Sequence, residues 1–263
     1  MFGFVAGAYT TIQVRRDDGT AWLRLIREDA GNAIDAQTCA ELIDALGDVA
    51  ADDEVRVVVI AAEGEAFSVA GDLATVLRVG QPSPLPPADG QALFAAMREQ
   101  PKPLMAVVQG ECHSAGMAVV AACDLAMAST RSRFWMPELR GGMWPAVPMA
   151  VIGRAIGPRR ALELALLGAQ IDARAALGLG LVQRLFEPDQ LEIEAFVIAR
   201  ALAQRSPSAL RLGLPAFRVG LGEPLDLALE RGRFALEGVL ASEDAREAIA
   251  AYAGSRPPVW KNR

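Results

Sequence analysis

Cysteine and histidine are scarce in this sequence of 263 residues. The three cysteines, Cys39, Cys112 and Cys123, are scattered along the chain, and His113 is the only histidine. We therefore expect neither a zinc-binding cluster nor a disulfide framework, and no metal site is predicted. The cysteines are scattered and odd in number, which favours a reducing compartment, so we expect a cytoplasmic protein.

Long apolar runs and an excess of basic residues are missing as well. No apolar run approaches the roughly 18 residues of a membrane-spanning helix, and the first residues, MFGFVAGAY, lack a basic leader, so we expect neither a membrane span nor a signal peptide. The formal net charge of −6 argues against broad binding to nucleic acid or anionic membranes. With 52% hydrophobic and 22% charged residues, the composition is typical of a globular chain with a large core.

Hydrophobic periodicity places most strands in the first two thirds of the chain and helices in the last third, which indicates α/β or α+β layering. The predicted strands are Tyr9–Arg16, Ala21–Arg27, Val55–Ala61, Leu104–Val108, Leu125–Ala128 and Leu181–Phe186. The predicted helices are Ala36–Val49 behind an Asp35 cap, Gln91–Glu99, Pro148–Ile156, Pro158–Leu167, one capped by Asp172, and C-terminal pieces broken at Pro207, Pro215 and Pro224. The proline-rich segment Gly80–Gly90 is predicted to be a loop, either beside a binding site or as a plain surface connection.

Two segments of small residues follow buried strands. The turn Cys112–Gly116 comes after the strand that ends at Val108 and leads into an apolar helix from about Met117 to Cys123. The segment Ala66–Leu73 comes after the strand that ends at Ala61. Small residues at a strand-to-helix turn let backbone N–H groups approach a ligand, so we expect an oxyanion or phosphate site here. The turn Cys112–Gly116 lacks the G-x-G-x-x-G pattern and the lysine of a nucleotide-phosphate loop, so binding of nucleotide phosphate is not favoured.

Glu138 is the carboxylate that the sequence singles out. Its neighbours Trp135, Met136, Pro137 and Leu139 are apolar. Desolvation by such neighbours raises the pKa of a carboxyl group and suits it to proton transfer near neutral pH. The alternative is a surface glutamate that follows a proline.

Together, these motifs resemble the crotonase superfamily, also called the enoyl-CoA hydratase/isomerase family, in their order and spacing. The resemblance extends over nearly the whole chain and implies a ββα spiral core in residues 1–200, followed by a helical region in residues 201–263 that builds trimers. The matching segments are Asn32–Ile34, Phe67–Leu73 (F-S-A-G-x-D-L-like), Gly110–Gly116 (G-x-x-x-G-G-G), Ala122–Ala128 (A-C-D-L-x-x-A), Pro137-Glu138 and Arg256–Lys261.

The resemblance implies catalytic roles for three residues. The backbone N–H groups of Gly71 and Ala115 form an oxyanion hole for a thioester enolate, and Glu138 transfers the proton. Two substitutions depart from the family pattern: Ala70 stands where glycine is usual, and Ser114-Ala115 replace Gly-Gly. Such residues are tolerated if φ stays negative.

The resemblance also implies an acyl-CoA substrate, with coenzyme A as part of the substrate and no separate cofactor. It implies a homotrimer or homohexamer and no nucleic-acid or membrane partner. The Trp260-Lys261 pair would reach the nucleotide end of coenzyme A from a neighbouring subunit, unless it is a frayed tail. The implied coenzyme A contacts are Asn32, Ala33, Ile34, Val69, Gly71, Trp260 and Lys261.

Ala118 is the largest departure from the family pattern. Hydratases of this family carry a second glutamate at this position, which helps to activate water, so isomerisation is favoured over hydration here. Glu111 and His113 are the nearby groups that would have to replace it. The alternatives are an enoyl-CoA hydratase, a non-catalytic CoA-binding protein, and a serine hydrolase using Ser114, since Cys112–Gly116 partly matches G-x-S-x-G.

Overall fold

A computed structural model describes residues 9–69 and 90–262, and in this part the chain forms two sheets surrounded by helices. The strands are β1 Ile12–Asp17, β2 Thr20–Leu25, β3 Val57–Ala62, β4 Ala66–Ser68, β5 Leu104–Val108, β6 Glu111–His113, β7 Leu125–Ser129, β8 Arg133–Trp135, β9 Ile171–Asp172 and β10 Arg184–Phe186. The helices are α1 Ala36–Ala51, α2 Gly90–Glu99, α3 Ser114–Ala122, α4 Ala146–Ile156, α5 Pro158–Leu167, α6 Ala173–Leu179, α7 Leu191–Ala203, α8 Pro207–Gly220, α9 Leu225–Ala241 and α10 Glu243–Ala253. Two 3-10 turns are Glu28–Ala30 and Glu138–Gly141.

Successive pairs of strands divide between the two sheets. The larger sheet has the order β1-β2-β3-β5-β7-β10, and the smaller has the order β4-β6-β8-β9. The pairs β3/β4, β5/β6 and β7/β8 each place one strand in each sheet, and the neighbours from β2 to β10 in the larger sheet are parallel. Repetition of strand, strand and helix is the ββα spiral, so the predicted fold class is confirmed.

The larger sheet separates two apolar cores. Along β3, Val58 and Ile60 face the core that contains α1 and α3, while Val57 and Val59 face the core formed with α7. Alternate residues of a strand point to opposite faces, so a strand buried on both faces must be apolar throughout. This explains why the sequence VVVIAA forms the centre of the sheet.

Local signals predicted several elements correctly. The hairpin turns at Asp18 and Gly19, which have φ of 43° and 78°, as a two-residue Asp-Gly turn requires. Asp35 caps α1 by accepting a hydrogen bond from the N–H of Thr38 at 3.0 Å, and Asp172 caps α6 in the same way. Helix α5 has the predicted bounds.

Three predicted elements were wrong in extent. Cys112 and His113 belong to strand β6, because β4 and β8 pair with them, and α3 begins at Ser114 rather than Met117. Helix α8 continues through Pro215, since its packing against α9 supports it past the missing N–H donor. The strand predicted from Leu181 is only Arg184–Phe186.

The helices after Phe186 form the end of the chain. Helix α8 is joined to the core by Arg218, which donates to both carboxylate oxygens of Asp124 at 2.9 and 2.6 Å. None of the helices in residues 9–69 and 90–262 is long and apolar enough to cross a membrane. The predicted loop Gly80–Gly90 lies outside the described residues, apart from Gly90 at the start of α2.

Candidate active site

Three parallel neighbours of the smaller sheet, β4, β6 and β8, bring the sequence motifs to one place. They end at Ser68, His113 and Trp135, and the register pairs Ser68 with Cys112 and His113 with Trp135. The carboxyl ends of parallel strands meet at the same edge of a sheet, which is where such sheets build ligand sites. The end of β4, the start of α3 and the turn that carries Glu138 therefore lie side by side.

The end of β4 contacts the first turn of helix α3 closely. A Cβ built on Gly116 would lie 2.8 Å from Ser68 Cβ and 3.1 Å from the Ser68 carbonyl oxygen, so only glycine fits here. The chain leaves Ser68 toward the predicted donor Gly71, which lies outside the described residues, as does Ala70. The end of β4 thus lies directly against the helix turn that contains Ala115.

The first turn of α3 presents backbone N–H groups. No side chain caps this helix among the described residues, and His113 occupies the N-cap position. The first N–H groups of a helix have no partner within the helix, so the N–H of Ala115 suits an anionic oxygen. Ser114 has φ of 24°, which contradicts the expectation that it keeps a negative φ, whereas Ala115 has no positive φ. A serine in this region costs about 1–3 kcal/mol of backbone strain, which explains why glycine is the easier residue there.

Glu138 opens the 3-10 turn Glu138–Gly141 directly after Pro137. Its side chain is half-buried, and Oε2 is buried with no hydrogen-bond partner among the described residues. Burial raises the pKa of Glu138, and only a backbone hydrogen bond of the same residue opposes the shift. A carboxyl group desolvated in this way does not fit the alternative of an ordinary surface glutamate.

His113 and Glu111 interact with each other beside the site. The His113 ring stacks on Trp135 with centroids 4.0 Å apart, and its Nε2 lies 3.4 Å from a carboxylate oxygen of Glu111. Burial lowers the pKa of His113, and the Glu111 carboxylate opposes this effect. Ser114 Oγ is buried and accepts or donates no hydrogen bond among the described residues, so the geometry gives a serine nucleophile no base.

Ala118 is completely buried in the core that contains α3. Its methyl group cannot accept a proton or hold a water molecule.

Asn32, in the predicted coenzyme A segment Asn32–Ile34, is hydrogen-bonded to the turn that leads into β4. It is buried, has φ of 51°, and its Nδ2 donates to the carbonyl oxygens of Glu63 at 2.9 Å and Ala66 at 3.0 Å. Its Oδ1 is buried without a hydrogen-bond partner in the described part of the chain. Asn32 is thus chiefly a bridge between backbone segments.

The neighbours of Asn32 complete this contact. The N–H of Val69 donates to the carbonyl oxygen of Gly31 at 2.8 Å, and Arg27 donates to the carbonyl oxygen of Ala33 at 3.0 Å. Ile34 packs against the core. The structure therefore places Asn32, Ala33 and Ile34 close to Val69, and the contact of both segments with coenzyme A stays a prediction. Arg27 was not singled out from the sequence, although it also forms an ion pair with Asp35 at 2.7 Å, because that contact joins residues eight positions apart that share no local pattern.

Trp260 and Lys261 lie in the segment that follows helix α10. Trp260 Nε1 donates to the carbonyl oxygen of Gln204 at 2.7 Å, and the backbone N–H of Lys261 donates to Asp244 at 2.8 Å. Lys261 Nζ lies 3.5 Å from Glu243. These hydrogen bonds hold the tail in place, which argues against a frayed end, and within the described residues they connect it to the helices rather than to Glu138 or Ala115.

Comparison with known proteins identifies the family. The model of the enoyl-CoA hydratase/isomerase family matches residues 15–263, so the chain belongs to that family. It is 30% identical over 259 residues to the mouse mitochondrial protein named enoyl-CoA hydratase domain-containing protein 3, covering 94% of this chain and 83% of the relative. It is 31% identical to a putative enoyl-CoA hydratase of Thermus thermophilus, covering 86% and 91% of the two chains.

Solved structures agree with this assignment. An enoyl-CoA hydratase/isomerase from Mycobacterium paratuberculosis superimposes with a TM-score of 0.88 at 30% identity, over 97% of this chain and all of the other. Human enoyl-CoA hydratase domain-containing protein 3 superimposes with a TM-score of 0.87 at 28% identity, over 95% and 100%. In the described part of the chain, no group of three or more side chains is arranged to hold a metal ion.

Proposed function

We propose that this protein is an acyl-CoA enzyme in which Glu138 moves a proton at the carbon next to a thioester. The backbone N–H groups of Ala115 and Gly71 stabilise the enolate oxygen that forms when the proton leaves. The observation that carries the proposal is that Oε2 of Glu138 is buried and has no hydrogen-bond partner within residues 9–69 and 90–262, and that burial raises the pKa of this carboxyl group. A base of raised pKa removes a carbon-bound proton more effectively than an ordinary glutamate.

Isomerisation of an enoyl-CoA double bond is the reaction that we favour. It moves a proton from C2 to C4 (the Δ3 to Δ2 shift), and one carboxyl group held over the enolate can perform both transfers. Hydration also requires water to be positioned at C3. Ala118 offers only a buried methyl group there, while Glu111 and His113 lie 3.4 Å from each other. Hydration is the second candidate, because relatives of this chain are named enoyl-CoA hydratases.

A non-catalytic CoA-binding protein is less well supported. Such a protein gains nothing from a glutamate held in a desolvated position, since an unpaired buried carboxyl group lowers stability. The two segments around Asn32 and Val69 support binding of coenzyme A as part of the substrate.

The C-terminal helices support a homo-oligomer, either a trimer or a hexamer. Helix α9 has no buried residue, although it is rich in leucine. Leu225, Leu229, Leu236 and Leu240 each expose more than half of their surface. Contiguous exposed apolar surface of this kind marks a protein interface, and a second copy of the chain is the partner that the family resemblance implies. The cytoplasmic location stays a prediction, because the mouse relative is named as mitochondrial.

The test compares two reactions and three proteins. Appearance of the ultraviolet absorbance of a conjugated 2-enoyl-CoA reports isomerisation of a 3-enoyl-CoA, and its loss reports hydration of crotonyl-CoA. We expect the wild type to isomerise faster than it hydrates. Glu111→Gln is the matched control, because it neutralises a neighbouring carboxylate that half faces solvent. It should retain isomerase activity, whereas Glu138→Gln should lose it. Rapid hydration with no isomerisation, or loss of activity in Glu111→Gln alone, would contradict the proposal.

A further inference from the structure

Strand β4 ends against the helix turn that contains Ala115, and strand β6 leads into that turn, yet the backbone pairing of the two strands is short and irregular. Ala66 pairs with Glu111 and Ser68 pairs with Cys112, with a shift of register between the two pairs. So few ladder hydrogen bonds, interrupted by a bulge, hold the register of two strands weakly. Another set of contacts must fix where β4 lies relative to β6.

Gln109 supplies such contacts from the residue just before Gly110 and β6. Its Nε2 lies 3.0 Å from the carbonyl oxygen of Ala66, 3.1 Å from that of Gly64 and 3.3 Å from that of Ala62. A side-chain amide has two N–H hydrogens, so the three carbonyls share them, with Ala66 and Gly64 the nearer partners. The side chain of Gln109 therefore contacts the whole turn between β3 and β4.

Two further contacts hold the same turn. The carbonyl oxygen of Ala66 also accepts from Nδ2 of Asn32 at 3.0 Å, so two side-chain amides meet on one oxygen. A Cβ built on Gly110 would lie 1.7 Å from the carbonyl oxygen of Glu65, which shows how closely the two backbones approach. The turn is fixed by amides from both sides and by the absence of a side chain at Gly110.

We propose that Gln109 is a positioning residue that fixes β4 against the helix turn whose Ala115 N–H is a proposed oxyanion-hole donor. Strand β4 ends at Ser68, which lies directly against Gly116, the residue after Ala115, so a displacement at the Gln109 contacts shifts the backbone that aims this N–H. Such a donor acts only when it lies about 2.7–3.1 Å from the developing oxyanion, and misplacement by about 1 Å costs on the order of a hundredfold in rate. This inference rests on the proposed function, because it concerns the geometry of that hole.

The test uses acetoacetyl-CoA, whose enolate absorbs in the near ultraviolet, and butanoyl-CoA, which stays in the keto form. Gln109→Met keeps the length of the side chain and removes the N–H donors. We expect Gln109→Met to bind the enolate at least tenfold more weakly and to lower kcat for isomerisation by about 10–100-fold, while its Kd for butanoyl-CoA changes less than threefold. Gln109→Asn keeps the amide on a side chain that is one methylene shorter, and its enolate affinity and kcat should lie between those of the wild type and Gln109→Met. If Gln109→Met does not fold, Gln109→Asn tests the positioning role.

Gln183 provides a matched control at the far side of the larger sheet. Its Oε1 accepts from the N–H of Ala126 at 2.7 Å, and its Nε2 donates to the carbonyl oxygen of Gly180 at 3.1 Å. Gln183→Met should lower the melting temperature as Gln109→Met does, without changing enolate binding or kcat.

Wild-type enolate absorbance and kcat in the folded Gln109 variants would overturn the positioning role, as would equal losses in Gln183→Met. Failure of the wild type itself to bind acetoacetyl-CoA as the enolate would overturn the proposed function, and the positioning role with it.

Discussion

Glu41 is predicted to be the acidic residue whose charge contributes most clearly to stability. It lies on α1 with 6% of its surface exposed. Its carboxylate accepts hydrogen bonds from the backbone N–H groups of Thr10 and Thr11 at 2.9 and 2.8 Å, from both threonine hydroxyls, and from Gln37 Nε2 at 2.8 Å. It thereby holds the segment before β1 against the first helix.

The magnitude follows from the pKa of Glu41. Burial alone would raise this pKa, but the hydrogen bonds from Thr11, Gln37 and Thr10 together lower it from 4.5 to about 2. At about 1.4 kcal/mol per pKa unit, the ionised form contributes roughly 3 kcal/mol to the free energy of unfolding. Because the folded pKa lies below the unfolded one, this contribution is complete above the unfolded pKa and is lost as the pH falls through about 2.

Glu41→Gln is the neutral mimic of the protonated residue, and urea unfolding followed by circular dichroism measures its effect. At pH 7 the variant should be less stable than the wild type by about 3 kcal/mol, and by pH 3 the difference should fall to less than half of that. Asp48→Asn on the same helix removes an exposed carboxylate and should change stability by less than about 0.5 kcal/mol. A Glu41→Gln difference below 1 kcal/mol at pH 7, or one that does not vary with pH, would refute the reasoning.

Two further substitutions, each with a control variant, test the ion pair that joins helix α8 to the core and the packing of Gly116 beside the site. Arg218→Met leaves the Asp124 carboxylate without its buried partner and should lower stability by about 3–5 kcal/mol, whereas Arg98→Met, whose ion pair is exposed and 4.0 Å long, should have little effect on the urea midpoint. Gly116→Ala places a Cβ within 2.8 Å of Ser68 in strand β4 and should lower the free energy of unfolding by about 1–3 kcal/mol. It should also weaken binding of the enolate. Gly178→Ala in α6, where a Cβ meets nothing within 4 Å, should instead stabilise the protein slightly in thermal unfolding.

The sequence predicts those parts of the fold that local chemistry decides. The caps Asp35 and Asp172 and the Asp-Gly hairpin turn are confirmed, because each depends on residues within four positions of one another. The buried strand β3 is confirmed because both of its faces must be apolar. Glu138 was singled out by its apolar neighbours, and its raised pKa agrees with that interpretation.

The remaining features depend on tertiary contacts. Strands β6 and β8 have only three residues each, and they are strands because of their neighbours in the sheet rather than their own sequence. The helix through Pro215 is supported by its packing partner. The hydrogen bonds of Gln109 and Asn32 join residues 31 to 47 positions apart, a separation that periodicity and spacing do not report.

Exchange of the protons at C2 of butanoyl-CoA with deuterium in D2O, followed by NMR, tests the central claim most directly. It isolates proton transfer beside a thioester and does not depend on whether the natural reaction is isomerisation or hydration. The wild type should exchange these protons at a rate that increases with pH, because burial raises the pKa of Glu138 and the ionised form is the base. Glu138→Gln should slow the exchange by about 10²–10⁴-fold with nearly unchanged affinity. Exchange at the wild-type rate in Glu138→Gln would contradict the account.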